Sequence, residues 1–202
     1  VPTFQVSASH RDDPKATGMK LRALLKVQED DHMRWPDAYA AWREWRTAIE
    51  ELGVLVFMFP KVELDEVRGI SLVRKPMPVV AVNTKETVES RAYTALHELV
   101  HLMLVNANEE GAALADKNQA AEWEELERFA EKAASYALID EVVLTEQVRR
   151  FGIPSSNETM RKQATRFKVT PLAYATRLWQ SEYLSWAQYD AWRTGWRQYI
   201  ET

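Results

Sequence analysis

Residues 90–105 read as a helix on period alone, with Leu96, Leu99, Val100, Met103 and Leu104 along the apolar side, yet the same stretch carries His97, Glu98 and His101. Residues four apart lie one turn apart on the same face of a helix. A helix that buries an apolar side together with two imidazoles and a carboxylate needs partners for those groups, because buried polar atoms are nearly always hydrogen-bonded or ligating. Whatever the chain folds into, other elements must close around this helix and aim polar groups at His97 and His101.

The set Ala95-Leu96-His97-Glu98-Leu99-Val100-His101 has the His-Glu-x-x-His spacing. Both imidazoles can then reach one ion at Zn–N distances of about 2.0–2.1 Å. The intervening glutamate points to the side of the pair, where it can accept a proton from the attacking water without being a ligand. Glu98 is therefore the expected catalytic base. The chain has no cysteine, which removes thiol nucleophiles, disulfides, iron–sulfur clusters and thiolate zinc sites, so a metal must be held by His, Asp or Glu.

The third ligand is expected from the acidic helix over residues 120–139. His10 and His32 lie far upstream among polar residues, whereas Glu122, Glu124, Glu125, Glu127 and Glu131 follow the motif. Glu127 has Trp123, Ala130 and Ala134 at i−4, i+3 and i+7 and is the carboxylate most nearly embedded in the apolar stripe. Burying it unpaired is costly, and a divalent cation offsets that cost. The expected ligands of a single Zn2+ are His97, His101 and Glu127, with other divalent metals as alternatives. Glu131, one turn further on the same face, competes for the third place or orients a histidine.

Around this centre the period of the chain changes twice. Asp13-Pro14 opens a helix through Leu21, Leu24 and Leu25, and Trp35-Pro36-Asp37 opens another with Ala41, Trp42, Trp45, Ile49 and Leu52 on one stripe and Gly53 as its stop. Three short β-rich runs follow, over residues 54–59, 67–73 and 79–83. An acidic loop is expected over residues 106–118. After the helix over residues 120–139 the chain is helical, with restarts at Pro154-Ser155-Ser156, Thr170-Pro171 and Ser185. The division is residues 1–34, 35–153 and 154–202. The class is α+β: mainly helical, with a small three-stranded sheet beside the metal-binding helix and a helical C-terminal subdomain.

Composition places limits on partners. A formal charge of -4 argues against coating nucleic acid by bulk charge. No apolar run reaches the roughly eighteen residues of a membrane span and no leader opens the chain, so a cytoplasmic protein without membrane contact is expected. In the tail, Trp179, Tyr183, Trp186, Tyr189, Trp192, Trp196 and Tyr199 fall at three- and four-residue spacings, as in the seam of a small helical subdomain. The same aromatics, with Arg149, Arg150, Arg161, Lys162, Arg166 and Lys168, could instead stack single-stranded nucleic acid or grip a regulator.

The stretches Trp42 to Val56, Val67-Arg68-Gly69-Ile70-Ser71, Pro78 to Asn83, Arg91 to His101 and Glu127-x-x-Ala130-x-x-Ala133-Ala134 together resemble the ImmA/IrrE-type metallopeptidases. The resemblance covers roughly residues 35–140 and extends loosely to Arg177-Leu178. It implies a zincin-like domain in which His97, His101 and Glu127 bind zinc and Glu98 acts as general base. Glu131 stands where that family usually has asparagine, and Asp140 where it tends to have proline. The resemblance also implies a substrate, a helix-turn-helix repressor whose cleavage switches on a stress, DNA-damage or phage-defence response, with single-stranded nucleic acid as a candidate activator.

Tyr93, Tyr136 and Arg91 are candidate oxyanion donors. Residues 79–83 end at Asn83, a further candidate for substrate contact. As an exposed edge strand they would pair with an extended substrate by β-augmentation, and as an interior strand they would only pack. Two classes of function remain: a zinc endopeptidase acting on a regulator, or a non-hydrolytic zinc-stabilised protein that sequesters a repressor or nucleic acid.

Overall fold

Acidic caps and prolines start the first helices of the computed structural model, which describes residues 3–74, 76–107 and 120–201. Asp13 accepts hydrogen bonds from the backbone N–H groups of Lys15 and Ala16 at the head of α1 (Pro14–Leu24), and Pro14 sits where a missing N–H leaves nothing unpaired. The short α2 (Asp31–Arg34) precedes α3 (Ala38–Glu51), which Asp37 caps and which buries Ala41, Trp42, Trp45 and Ile49 as their spacing predicts. Then come β1 (Leu55–Phe59), β2 (Gly69–Leu72), β3 (Val79–Asn83) and α4 (Val88–Asn106). The chain continues through α5 (Ala120–Leu138), α6 (Glu141–Phe151), α7 (Asn157–Arg166), α8 (Pro171–Gln180) and α9 (Trp186–Glu201). The chain is mostly helical with one small sheet, the α+β class expected. The expected acidic loop lies outside the described residues except at its start, where α4 runs on to Asn106.

The strand order is β1-β3-β2, with β3 parallel to β1 and antiparallel to β2. The reading of residues 79–83 as an exposed edge is thereby corrected: both sides of β3 are taken, and the open edge beside α4 belongs to β2. Val56, Val80 and Val82 face the helices and are buried, while Leu55, Phe57, Ile70 and Leu72 face away and are exposed.

Helix α4 is the axis of the core. Ala92, Ala95, Leu96, Leu99, Val100, Leu102, Met103 and Leu104 are all buried, since α3, α5 and the sheet pack on it from different sides. One cluster of buried side chains runs from Phe4 to Tyr189 and draws on all three parts of the chain. The helix α1 lies close along α5 because Gly18 presents no Cβ to the backbone of Ala133 and Ala137.

Two buried arginines fasten the end of α5. Arg22 of α1 donates to the carbonyls of Ala137 and Leu138, which the helix terminus leaves open. Arg177 of α8 donates to the Ile139 carbonyl and, at 2.5 Å, to the Glu141 carboxylate, with its guanidinium 3.8 Å from the Tyr136 ring centre. Asp140 caps α6 by accepting from Val142 and Val143, a local reason for an acidic residue there. The aromatic tail forms a packed seam: Trp179 stacks on Tyr189 at 5.2 Å and meets Trp186 edge-on at 5.1 Å. Among the described residues no helix is long and apolar enough to cross a membrane.

Candidate metal centre

Helices α4 and α5 pack side by side, and their facing polar residues converge. The Nε2 atoms of His97 and His101 lie 2.9 Å apart. Glu127 places Oε2 at 3.4 Å from His97 Nε2 and Oε1 at 3.4 Å from His101 Nε2. Among the described residues this is the group of His, Asp and Glu side chains able to share one ion. Ligand atoms about 2.0–2.1 Å from a tetrahedral zinc are about 3.3–3.4 Å from one another. Both nitrogen–oxygen distances meet that requirement, and the imidazoles need to part by only about 0.5 Å. Two neutral nitrogens and one carboxylate are also the donor set that zinc favours in hydrolytic sites, so the residues fit the ion.

The surroundings hold these groups in place. Trp123, one turn before Glu127 on α5, stacks on His101 at 5.9 Å with an interplanar angle of 11°. His97 Nδ1 is buried without a hydrogen-bond partner among the described residues, and packing against Tyr93 and His101 orients its ring. The hydrogen bond with His97, and then the nearby His101, keep the Glu127 carboxyl below the usual carboxylate range against the opposing effect of burial. Glu127 is thus ionised, as a ligand must be.

Glu98 sits beside the pair, against β2. Burial pushes its carboxyl up, while His97, His101 and a hydrogen bond from Ser71 partly offset that. Strand β2 comes so near that a Cβ on Gly69 would lie 2.8 Å from Glu98 Cγ and 2.9 Å from Oε1. A cleft of about 530 Å³ opens over His97, His101, Glu98 and Glu127, walled by residues 64–69, Ser71 and Tyr93. The backbone of β2 borders it. Asn83 N donates to Arg68 O, so Arg68, Ile70 and Leu72 form the hydrogen-bonded pairs with β3 and the N–H and C=O groups of Gly69 and Ser71 turn to the open edge.

The other expected site residues divide. Glu131 and Tyr93 line the cleft, Glu131 outside the three-residue group and Tyr93 with its ring 6.3 Å from that of His97. Burial, then Glu131, raises the Tyr93 phenol further above its ordinary value, so the hydroxyl stays a donor. Three candidates are not among the residues lining the cleft and bond elsewhere. Arg91 donates to the carbonyls of Glu86 and Thr84 and closes the turn before α4. Tyr136 donates to the Gln180 carbonyl under Arg177. Asn83 donates to Val62 and Val67 carbonyls and accepts from Lys85 N, clipping the loop that walls the cleft. His32, read as lying among polar residues, is buried against Phe167.

Gly69 and Ser71 were not among the expected site residues. The available signal was a glycine inside an apolar strand, which marks close approach of another group.

Residues 49–178, well over half of the chain, match the family profile Peptidase_M78, described as the IrrE N-terminal-like domain. Among curated proteins none matches the chain.

Proposed function

The chain belongs to the IrrE N-terminal-like domain family of M78 peptidases, and from that premise we propose that it is a zinc-dependent endopeptidase that cleaves a helix-turn-helix transcriptional repressor. Cleavage would switch on a stress, DNA-damage or phage-defence response. The observation that carries the reading is the convergence of His97, His101 and Glu127 beside Glu98 at the floor of an open cleft.

His97, His101 and Glu127 would hold Zn2+ or a similar divalent ion, which would supply Lewis acidity to the scissile carbonyl and the attacking water. Glu98 accepts the proton of that water at its carboxylate and returns it to the leaving amine nitrogen. Its position against Gly69 and Ser71 leaves it little freedom to turn away. An extended substrate segment pairs with the open edge of β2, bonding to the outward N–H and C=O groups of Gly69 and Ser71 and running across the histidines. Tyr93 donates its hydroxyl to the carbonyl oxygen as negative charge develops there.

The test is incubation of the zinc-loaded chain with the helix-turn-helix regulator encoded nearest to it, with and without single-stranded DNA. Discrete fragments are expected, with cleavage reduced by about 10²-fold or more in Glu98→Gln while that variant keeps its metal. A regulator that binds but stays intact, equally with both proteins, would place the chain in the non-hydrolytic class.

A further inference from the structure

Strand β2 serves two surfaces. Gly69 and Ser71 face α4 and the cleft, whereas Ile70 and Leu72 face the other side of the sheet. On that side the registers align two rows, Phe57–Ala81–Ile70 and Leu55–Val79–Leu72, apolar throughout. Phe57 is 53% exposed, Leu72 45%, and Leu55 and Ile70 38% each, so no described element covers them. Ala81, the smallest of these six side chains, stands between Phe57 and Ile70.

The dimensions and charges of this face indicate what fits it. Three strands spaced about 4.8 Å apart and four or five residues long at about 3.3 Å each make a face of roughly 10 by 13–17 Å. One α-helix of about three turns, roughly 10–12 Å across, has that footprint. A stable interface with a second copy needs about 800 Å² from each partner, several times what this face offers. Arg74 follows Leu72 and Val73 and is exposed, whereas Arg68, before Gly69 and Ile70, also lines the cleft and holds Glu86 at 3.0 Å. The occupant that complements this surface has an apolar stripe with acidic flanks.

We infer that the outer face of the sheet is a docking site for an amphipathic helix of the protein substrate. In naming the substrate as occupant the inference rests on the peptidase reading, because the strand whose edge takes the extended segment also carries Ile70 and Leu72. A polypeptide held on both surfaces presents a folded helix to one side of β2 and its scissile segment to the other. The face therefore selects folded proteins bearing such a helix over unstructured chains.

The experiment uses the full zinc-loaded chain and a fluorescein-labelled helical peptide of roughly 14 residues, with Leu at i, i+3, i+4 and i+7 and Glu on both flanks. Fluorescence anisotropy is expected to show saturable binding, at least about tenfold weaker in Phe57→Ser and, independently, in Leu72→Ser, and about tenfold weaker for a Lys-flanked peptide. Both replaced side chains are exposed, and matching circular dichroism spectra establish that the variants fold. Absence of saturable binding, or equal binding by wild type and both variants, overturns the docking site. So does a dimer in sedimentation that Phe57→Ser abolishes, since a second copy would then occupy the face. The peptidase reading is tested separately with fluorescent casein, an unstructured substrate whose cleavage Phe57→Ser is expected to leave unchanged. Helix binding that depends on Phe57, with neither casein nor the nearest-encoded helix-turn-helix regulator cleaved by wild type, would retain the surface and reject the peptidase.

Discussion

Gly69→Ala adds one methyl group at the point where the sheet meets the base. The new Cβ would lie 2.7 Å from Thr94 Cγ2, 2.8 Å from Glu98 Cγ and 2.9 Å from Glu98 Oε1. Carbon atoms rest comfortably at about 3.5–4.0 Å, so the neighbours must withdraw by about 0.7 Å or more. Thr94 can rotate its methyl away, but Glu98 is buried and bonded to Ser71, and it sits on the helix that carries both histidines. Gly69 has no left-handed backbone angle, so the effect is purely steric. Overpacking costs about 1–3 kcal/mol, and a stiffer unfolded chain returns about 0.4–1 kcal/mol, which leaves the fold intact with a modestly lowered Tm. Chemistry is more sensitive: a misplacement near 1 Å lowers turnover by about 10²-fold. The assay is steady-state casein cleavage by protein whose metal content has been measured. The variant is expected to hold as much zinc as wild type and to lose its activity in kcat. Turnover within about threefold of wild type at equal metal content would refute the assignment of Glu98 as the base.

Two further predictions concern stability. His32 is 1% exposed and lies 3.3 Å from Arg22, and burial followed by that charge pushes its pKa down to about 3. The unfolded chain takes up this proton near pH 6.5, so the stability that neutral His32 contributes is complete above about pH 6.5 and is lost at about 1.4 kcal/mol per unit as pH falls toward 3. Between pH 6.5 and 5, urea unfolding of wild type should therefore lose about 2 kcal/mol more than His32→Gln does; equal losses would exclude the linkage. Arg177→Leu removes the donor to the Ile139 carbonyl and to Glu141, and is expected to destabilise the chain by roughly 3 kcal/mol, read as a lower unfolding midpoint. An unchanged midpoint would show that the buried guanidinium is not a fastening.

Features set by neighbours in the chain were legible in the residues. Asp13 and Asp37 mark their helix starts because a side chain that accepts from the next turn acts locally. The His97–His101 pair follows from helical spacing alone, and the apolar neighbours of Glu127 at i−4 and i+3 single it out from four other glutamates on the same segment. The limits of β3 are those expected, but the residues left edge and interior positions both open, since strand order depends on pairing with distant segments. Arg91 and Asn83 lie near the motif in sequence, yet their polar groups are consumed by loop and turn carbonyls. The burial of His32 needs Phe167 and Arg22, neither of which is a sequence neighbour. Gly69 and Ser71 reach Glu98 only because the sheet folds onto α4.

The central claim is that His97, His101 and Glu127 jointly hold one divalent ion. Zinc affinity measured by chelator competition on the full chain tests it most directly. Wild type is expected to bind one ion per chain, with affinity about 10²-fold or more weaker in His97→Ala, His101→Ala and Glu127→Ala and little changed in Glu131→Ala. Undiminished binding by Glu127→Ala, or loss of the ion in Glu131→Ala alone, would contradict the account.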